Sequence, residues 1–197
     1  MRTRIVLSLA AVSALTISAA AQTEIWQLDP PHCAAQFAVR HMGISTVRGT
    51  FTKLSGTLQY DPTAPAKSSL DVTIDAASVD SRVEMRDNDV RGPKLLGVAK
   101  YPTITFKSKR VEPAGPGKLK VTGDLTIHGV TKETVLDVEG PSEPMKDPMG
   151  NARMGASATT TINRQDFGVS GYPAAMIADH VAVTIDVELV KATAASH

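Results

Sequence analysis

YPTITFKSKR (Tyr101–Arg110), a break ending at Gly117, and KLKVTGDLTIHGVTKETVLDVE (Lys118–Glu139) are the text that decides the fold. Between Lys118 and His128 the odd positions are Leu119, Val121, Gly123, Leu125 and Ile127, whereas the even positions are polar. That is the period of a strand with one buried face and one wet face. His128-Gly129 interrupts the pattern, and both residue types are found at positive φ. A two-residue hairpin turn into a second β-rich run, Val130 to Val138, is therefore predicted. Upstream, Pro113-Ala114-Gly115-Pro116-Gly117 divides this strand from one in which Ile104 and Phe106 alternate with Thr103 and Thr105. Three antiparallel strands with apolar sides on one face form a meander, and that face needs a cover.

Outward from the meander, the pattern repeats. Glu24 to Leu28, with the single tryptophan Trp26, is an opening strand ended by Asp29-Pro30-Pro31. Cys33 to His41 is the next, and His41 shares the face of Phe37 and Val39, so it is expected to point inward. Val47, Gly49 and Phe51 carry the odd phase, but Leu54, Gly56, Leu58 and Tyr60 carry the even one. A slip of one residue inside a β-run predicts a bulge or sharp bend, and small residues such as Gly49 and Gly56 suit the corners of a closed barrel. Leu70, Val72 and Ile74 alternate with Asp71, Thr73 and Asp75. Ser81-Arg82-Val83-Glu84 then has capping-box spacing, which predicts a helix from about Ser81 to Val90 with a second turn at Pro93 to Leu96. Past a loop rich in Pro, Met and Gly come strands alternating at Ala152 to Ile162 and at Val181 to Leu189; Ala192 to His197 should fray.

The first residues set the compartment. Arg2 and Arg4 precede an apolar run from Ile5 to Ile17, too short for a bilayer, and then Ser18-Ala19-Ala20-Ala21. This is the form of a secretory leader over residues 1–21, cleaved before Gln22. Removing 21 of the 197 residues leaves a 176-residue single domain with 19 basic and 20 acidic residues. At about one net negative charge it offers no overall basic field for nucleic acid or anionic lipid surfaces, and it has no second apolar run long enough to span a membrane. Cys33, the only cysteine, cannot form an intramolecular disulfide and reads as a small buried apolar residue.

Eight to ten short strands and one helix fit an all-β, antiparallel barrel, which removes exposed edges by closing on itself. An eight-stranded barrel is just wide enough to hold one small ligand. Only 4% of the chain is aromatic, and inward positions such as Ala152, Ala156, Ala158, Gly123 and Gly49 are small. An internal apolar cavity is expected. No G-x-S-x-G elbow, P-loop, H-E-x-x-H or cysteine pair is present. His32, His41, His128, His180 and His197 lack ligand spacing, so neither a cofactor nor a metal is expected.

The chain resembles the YceI-like family of exported, lipocalin-like proteins. The resemblance rests on RHMGISTVRGTFTKLSGTLQYDP, SVDSRVEMRDNDVRGPKLLGVAKYPTITFKS, KVTGDLTIHGVTKETVLDVE and NRQDFG, in that order. It implies a periplasmic, eight-stranded barrel that holds an isoprenoid or similar long-chain lipid rather than catalysing a reaction. It departs from the family pattern at Pro93-Lys94-Leu95-Leu96, where two leucines replace an aromatic-containing segment and reshape that wall. On this reading Phe37, Val39, Phe51, Leu70, Val72 and Ile74 line the lumen from the first half of the chain. Leu95, Ile104, Phe106, Leu125, Leu136 and Phe167 line it from the second. His41, Arg86, Asp87, Arg91, Arg164 and Asp166 are the head-group candidates, although a core histidine, an Arg86–Asp87 ion pair and a capped strand corner explain the same residues. The sequence leaves two alternatives open: an enzyme acting on a lipidic or amide substrate through His41 and an aspartate, and a protein-interaction module of the envelope. It is also compatible with a homodimer.

Overall fold

A computed structural model of the chain describes residues 23–192. The leader predicted over residues 1–21 and most of the predicted frayed tail lie outside these residues. Ala192 itself still donates its N–H to the Ile25 carbonyl at 2.8 Å.

The strands in chain order are β1 (Glu24–Leu28), β2 (Ala34–His41), β3 (Ser45–Phe51), β4 (Leu54–Tyr60), β5 (Ser69–Asp75) and β6 (Val79–Asp80). After α1 (Glu84–Arg91) come β7 (Thr103–Pro113), β8 (Lys118–Ile127), β9 (Val130–Glu139), β10 (Met145–Lys146), β11 (Ala152–Asn163) and β12 (Ile177–Lys191). Three pairs, β1/β2, β3/β4 and β5/β6, are single long strands broken by a bend. A 3₁₀ turn at Pro30–His32 bends the first, and another at Ala76–Ser78 bends the third. The predicted phase slip is the second bend: Phe51 and Leu54 both face inward, and Thr52 donates its N–H to the Ser78 carbonyl instead of to a ladder partner. With each bent pair counted as one strand, and the two-residue β10 set aside as an addition to β11, eight antiparallel strands run up and down around a closed ring. The ring closes on β12, which pairs with β11 along one edge and with β1 and then β2 along the other.

The hairpin between β8 and β9 forms as the sequence predicts, with His128 at φ 53° and Gly129 at φ 75°. The ring of Tyr101 lies where a Cβ on residue 129 would stand, 2.5 Å away, so glycine is needed there twice over. A bulge in β7 was not foreseen: Ser108 faces Gly123 and Arg110 faces Thr122, which leaves Lys109 without an opposite residue. It moves the inward phase from Ile104 and Phe106 to Val111, a shift visible in the sequence as even positions turning odd.

The helix is shorter than predicted, and its cap differs. Val83, not Ser81, is the N-cap, with no side-chain bond to the first turn. Ser81 is buried and gives its N–H and its hydroxyl to Asp87, at 2.8 and 2.5 Å. Asp87 therefore reaches back from the helix to the strand, and burial of the pair fixes the helix start more firmly than an exposed cap.

Candidate functional site

The barrel is hollow. A cavity of about 910 Å³ runs inside it, lined by apolar side chains from strands all round the ring. On β12 the inward residues Val181, Val183, Ile185 and Val187 are only half-buried, although they point away from solvent, because they face the void. Leu189, on the same face of the same strand, borders the end of the cavity but is 2% exposed, packed with Trp26, Met154 and Leu54. Phe37, Val39, Phe51, Leu70, Val72 and Ile74 line the cavity, as do Leu95, Ile104, Phe106, Leu125, Leu136 and Phe167. Of the small residues, Ala156 and Ala158 do open volume. Gly49 and Gly123 do not, contrary to expectation: the ring edges of Phe37 and Phe106 lie 2.4 and 2.5 Å from where their Cβ atoms would be. These glycines admit aromatic walls rather than empty space.

Charge is confined to one end. Arg40, His41, Arg86, Asp89 and Arg164 reach the cavity where α1 and the 168–176 loop cross the barrel, whereas Tyr60, Ser68 and Ser69 are the polar groups at the far end. Arg86 donates Nε to the Ser81 hydroxyl and a terminal nitrogen to the Ser81 carbonyl, both at 2.7 Å. Arg40 is held by Thr46 Oγ1 at 3.0 Å and the Gly43 carbonyl at 2.6 Å. Among the described residues neither guanidinium has a carboxylate within ion-pair distance. Each is thus oriented by neutral acceptors and keeps its charge for an outside partner. Tyr172 donates its hydroxyl to Asp89 at 2.9 Å, which latches the loop to the helix. That carboxylate, holding the phenolic proton, raises the Tyr172 pKa above the ordinary value.

Three of the predicted polar contacts are placed differently. Arg91 does not reach the cavity; it donates to the carbonyls of Ala77 and Val79 and to Asn88, pinning the helix to the β5–β6 bend. His41 is exposed at the rim rather than inside. Between Ile177 and Val181 the register of β12 shifts against β2, so the wall flares where His41 stands. Arg164 borders the cavity but is 4% exposed, and its fork is spent on the carbonyls of Val169, Tyr172, Ile177 and Ala178 and on Asp179. The flare frees backbone carbonyls that the ladder would otherwise satisfy, and Arg164 takes two of them. Asp166 is exposed and Asp87 belongs to Ser81, as described above.

Arg40, Met85, Asp89, Tyr172 and Met176 also reach the cavity and were missed. Alternation puts Arg40 outside, and no short-range signal says that the 168–176 loop folds back over the barrel. Elsewhere, donor atoms of Asp29, His32 and Glu188 lie within 4.8 Å of one another. Their charge is already met by Arg153, which pairs with Asp29 at 2.5 Å, Asp147 at 2.8 Å and Glu188 at 3.3 Å. Hydrogen bonds from Arg153, and then from His32, hold the Asp29 carboxyl below the usual carboxylate range, and Arg153 does the same for Asp147.

Comparison with known proteins agrees with this architecture. The YceI-like domain matches residues 26–189. A UPF0312 protein of Vibrio cholerae is 38% identical over 170 residues, covering 85% of this chain and 88% of that protein. Among solved structures, the Campylobacter jejuni YceI protein is 34% identical with a TM-score of 0.70, over 78% of this chain and 90% of that one. Burkholderia cenocepacia BcnA is 26% identical with a TM-score of 0.72, over 84% and 99%. A polyisoprenoid binding domain from Saccharophagus degradans, at 19% identity and a TM-score of 0.63 over 85% and 98%, shares the fold.

Proposed function

The chain belongs to the YceI-like family, and from that premise we propose that it carries a long-chain amphiphile of the polyisoprenoid class, tail inside the barrel and head at the α1 end. The observation that carries this reading is the cavity itself: about 910 Å³ of apolar lumen with its charged groups gathered at one mouth. Each methylene taken from water into such a lumen gains about 0.8 kcal/mol. A tail of several isoprene units therefore gains enough to outweigh the ordering of a flexible chain, which costs several kcal/mol. Arg40 and Arg86, oriented and without carboxylate partners, fit an anionic or strongly polar head.

The carrier is exported by the leader and works in the periplasm. Among the described residues no helix is long and apolar enough to cross a membrane, which accords with that placement without deciding it. An acid/base enzyme finds less support, because His41 stands exposed on the flared rim and among the described residues no side-chain bond to an aspartate orients it.

Native mass spectrometry of protein purified without detergent tests the proposal. The expected result is a retained lipid that is displaced when Ala156→Phe fills the lumen. A protein that stays lipid-free, even when offered isoprenoids in micelles, would overturn it.

A further inference from the structure

Of the nine large apolar side chains left exposed among the described residues, five, Met42, Ile44, Val83, Met85 and Met176, lie at the α1 end, whereas Ile25, Val135, Met145 and Met149 lie elsewhere. Met42 and Ile44 form the β2–β3 turn, and the Met42 N–H bonds the Met176 carbonyl at 2.8 Å, so turn and loop are one surface. Val83 and Met85 begin α1, beside β3, because β6 pairs with Thr50 and Phe51. Met85 and Met176 also line the cavity, which makes the rim and the lumen a continuous apolar surface.

Local structure does not call for these residues. A turn with positive φ at both central positions suits Asn-Gly, yet here Met42 takes φ 52° beside Gly43, and Ile44 next to it is 78% exposed. Met85 is 82% exposed on a helix whose only buried residue is Asp87. Neither side chain has a core to join.

The charges around the rim say what covers it. Arg40, Arg48, Arg82 and Arg86 stand there, and none is paired with a carboxylate among the described residues. The nearby acids keep their charge, but three of them are turned toward protein donors: Asp87 toward Ser81, Asp89 toward Tyr172, and Asp80 toward the Arg82 N–H at 2.7 Å; Glu84, in the first turn of α1, is exposed. Whole-chain charge is close to zero, so any attraction to an anionic surface has to come from these unpaired guanidiniums themselves.

We propose that this rim is a docking surface for an anionic lipid bilayer, which seats the open end of the barrel against the membrane so that a tail passes without crossing water. Apolar side chains entering the headgroup layer and arginines facing anionic lipids are the two signals that reversible surface binding requires. The proposal builds on the carrier reading, but its test is separate.

The closed barrel lies wholly within residues 24–191, so the test uses the chain from residue 22. Flotation is measured with vesicles of phosphatidylethanolamine and phosphatidylglycerol, and with vesicles of phosphatidylcholine alone. The expected result is binding to the anionic vesicles, weaker in high salt. Ile44→Ser with Met85→Ser should weaken it roughly tenfold or more, since both lose their burial in the headgroup layer. Arg82→Gln should weaken it about fivefold. Ile25→Ser with Val135→Ser, exposed positions away from the rim, should leave it unchanged. Lipid retained by the double-serine variant in native mass spectrometry separates a docking defect from a carrier defect.

Wild-type protein that holds lipid but ignores both vesicles overturns the docking surface and leaves the carrier standing. Protein that docks through this rim yet never holds lipid supports the surface and overturns the carrier. A dimer that the double-serine variant dissociates, with no vesicle binding, overturns the proposal in favour of contact between copies.

Discussion

β12 crosses two regions that read alike in the sequence and differ in the fold. Val183 and Ile185 are half-buried against a void, whereas Leu189, a few residues on and in the same phase, borders the end of that void and is 2% exposed, packed with Trp26 and Met154. Alternation says which way a side chain points; what stands across the barrel says whether it meets an atom. At the filled end, apolar packing and the Arg153 network clamp β1, β11 and β12 together. At the hollow end a second apolar cluster, with Leu95, Phe167 and Val169, packs under the helix and loop, and a polar frame built on Arg164, Ser81 and Asp87 ties them down as well.

The contrast is sharpest in a pair of truncations. Trp26, at 0% exposure, should cost about 3–5 kcal/mol when changed to Ala, by urea denaturation. Val183→Ala should cost only about 1 kcal/mol or less, because no packed neighbour is lost across the void. Equal losses would mean that the lumen is effectively filled. Next comes the frame: Arg164→Met keeps the apolar stem but strands a set of buried carbonyls, with an expected loss of roughly 3 kcal/mol. Hydrogen exchange should quicken over residues 168–179 while β1 stays protected.

A smaller effect separates the two ends by pH. Asp29 and Asp147 titrate below the usual range in the folded chain, so their contribution is present above the unfolded value of about 4 and is lost as pH falls through the lower folded values. Melting temperature should therefore fall on acidification below about pH 4. Arg153→Met should flatten that acid limb; an unchanged limb would show that the clamp does not act through these pairs. Smallest of all is the thiol. Burial pushes the Cys33 pKa up, so maleimide should label it only in denaturant, and labelling of native protein would show the filled end opening.

Much of this plan was legible in the chain because strands carry their orientation in every second residue. The break between Phe51 and Leu54, the His128-Gly129 turn and the apolar lining followed from that. Three things did not, each for a reason of range. Arg164 is spent on carbonyls from a loop up to 14 residues away, freed by a flare that no local pattern announces. Arg153 gathers Asp29, Asp147 and Glu188 from three separate parts of the chain. His41 obeys its parity yet stands outside, since at the end of a strand the inward direction leads out through the rim.

Trp26 opposes Lys191, so the two ends of the described chain are neighbours in the sheet. A ribosome-bound fragment lacking the last strand would have an open, unsealed edge on both β11 and β2, and nothing that could be called a container. If the barrel carries a lipid as proposed, loading is consequently a post-synthetic event. It would belong to the finished polypeptide, and a chain exported unfolded would arrive empty on the other side.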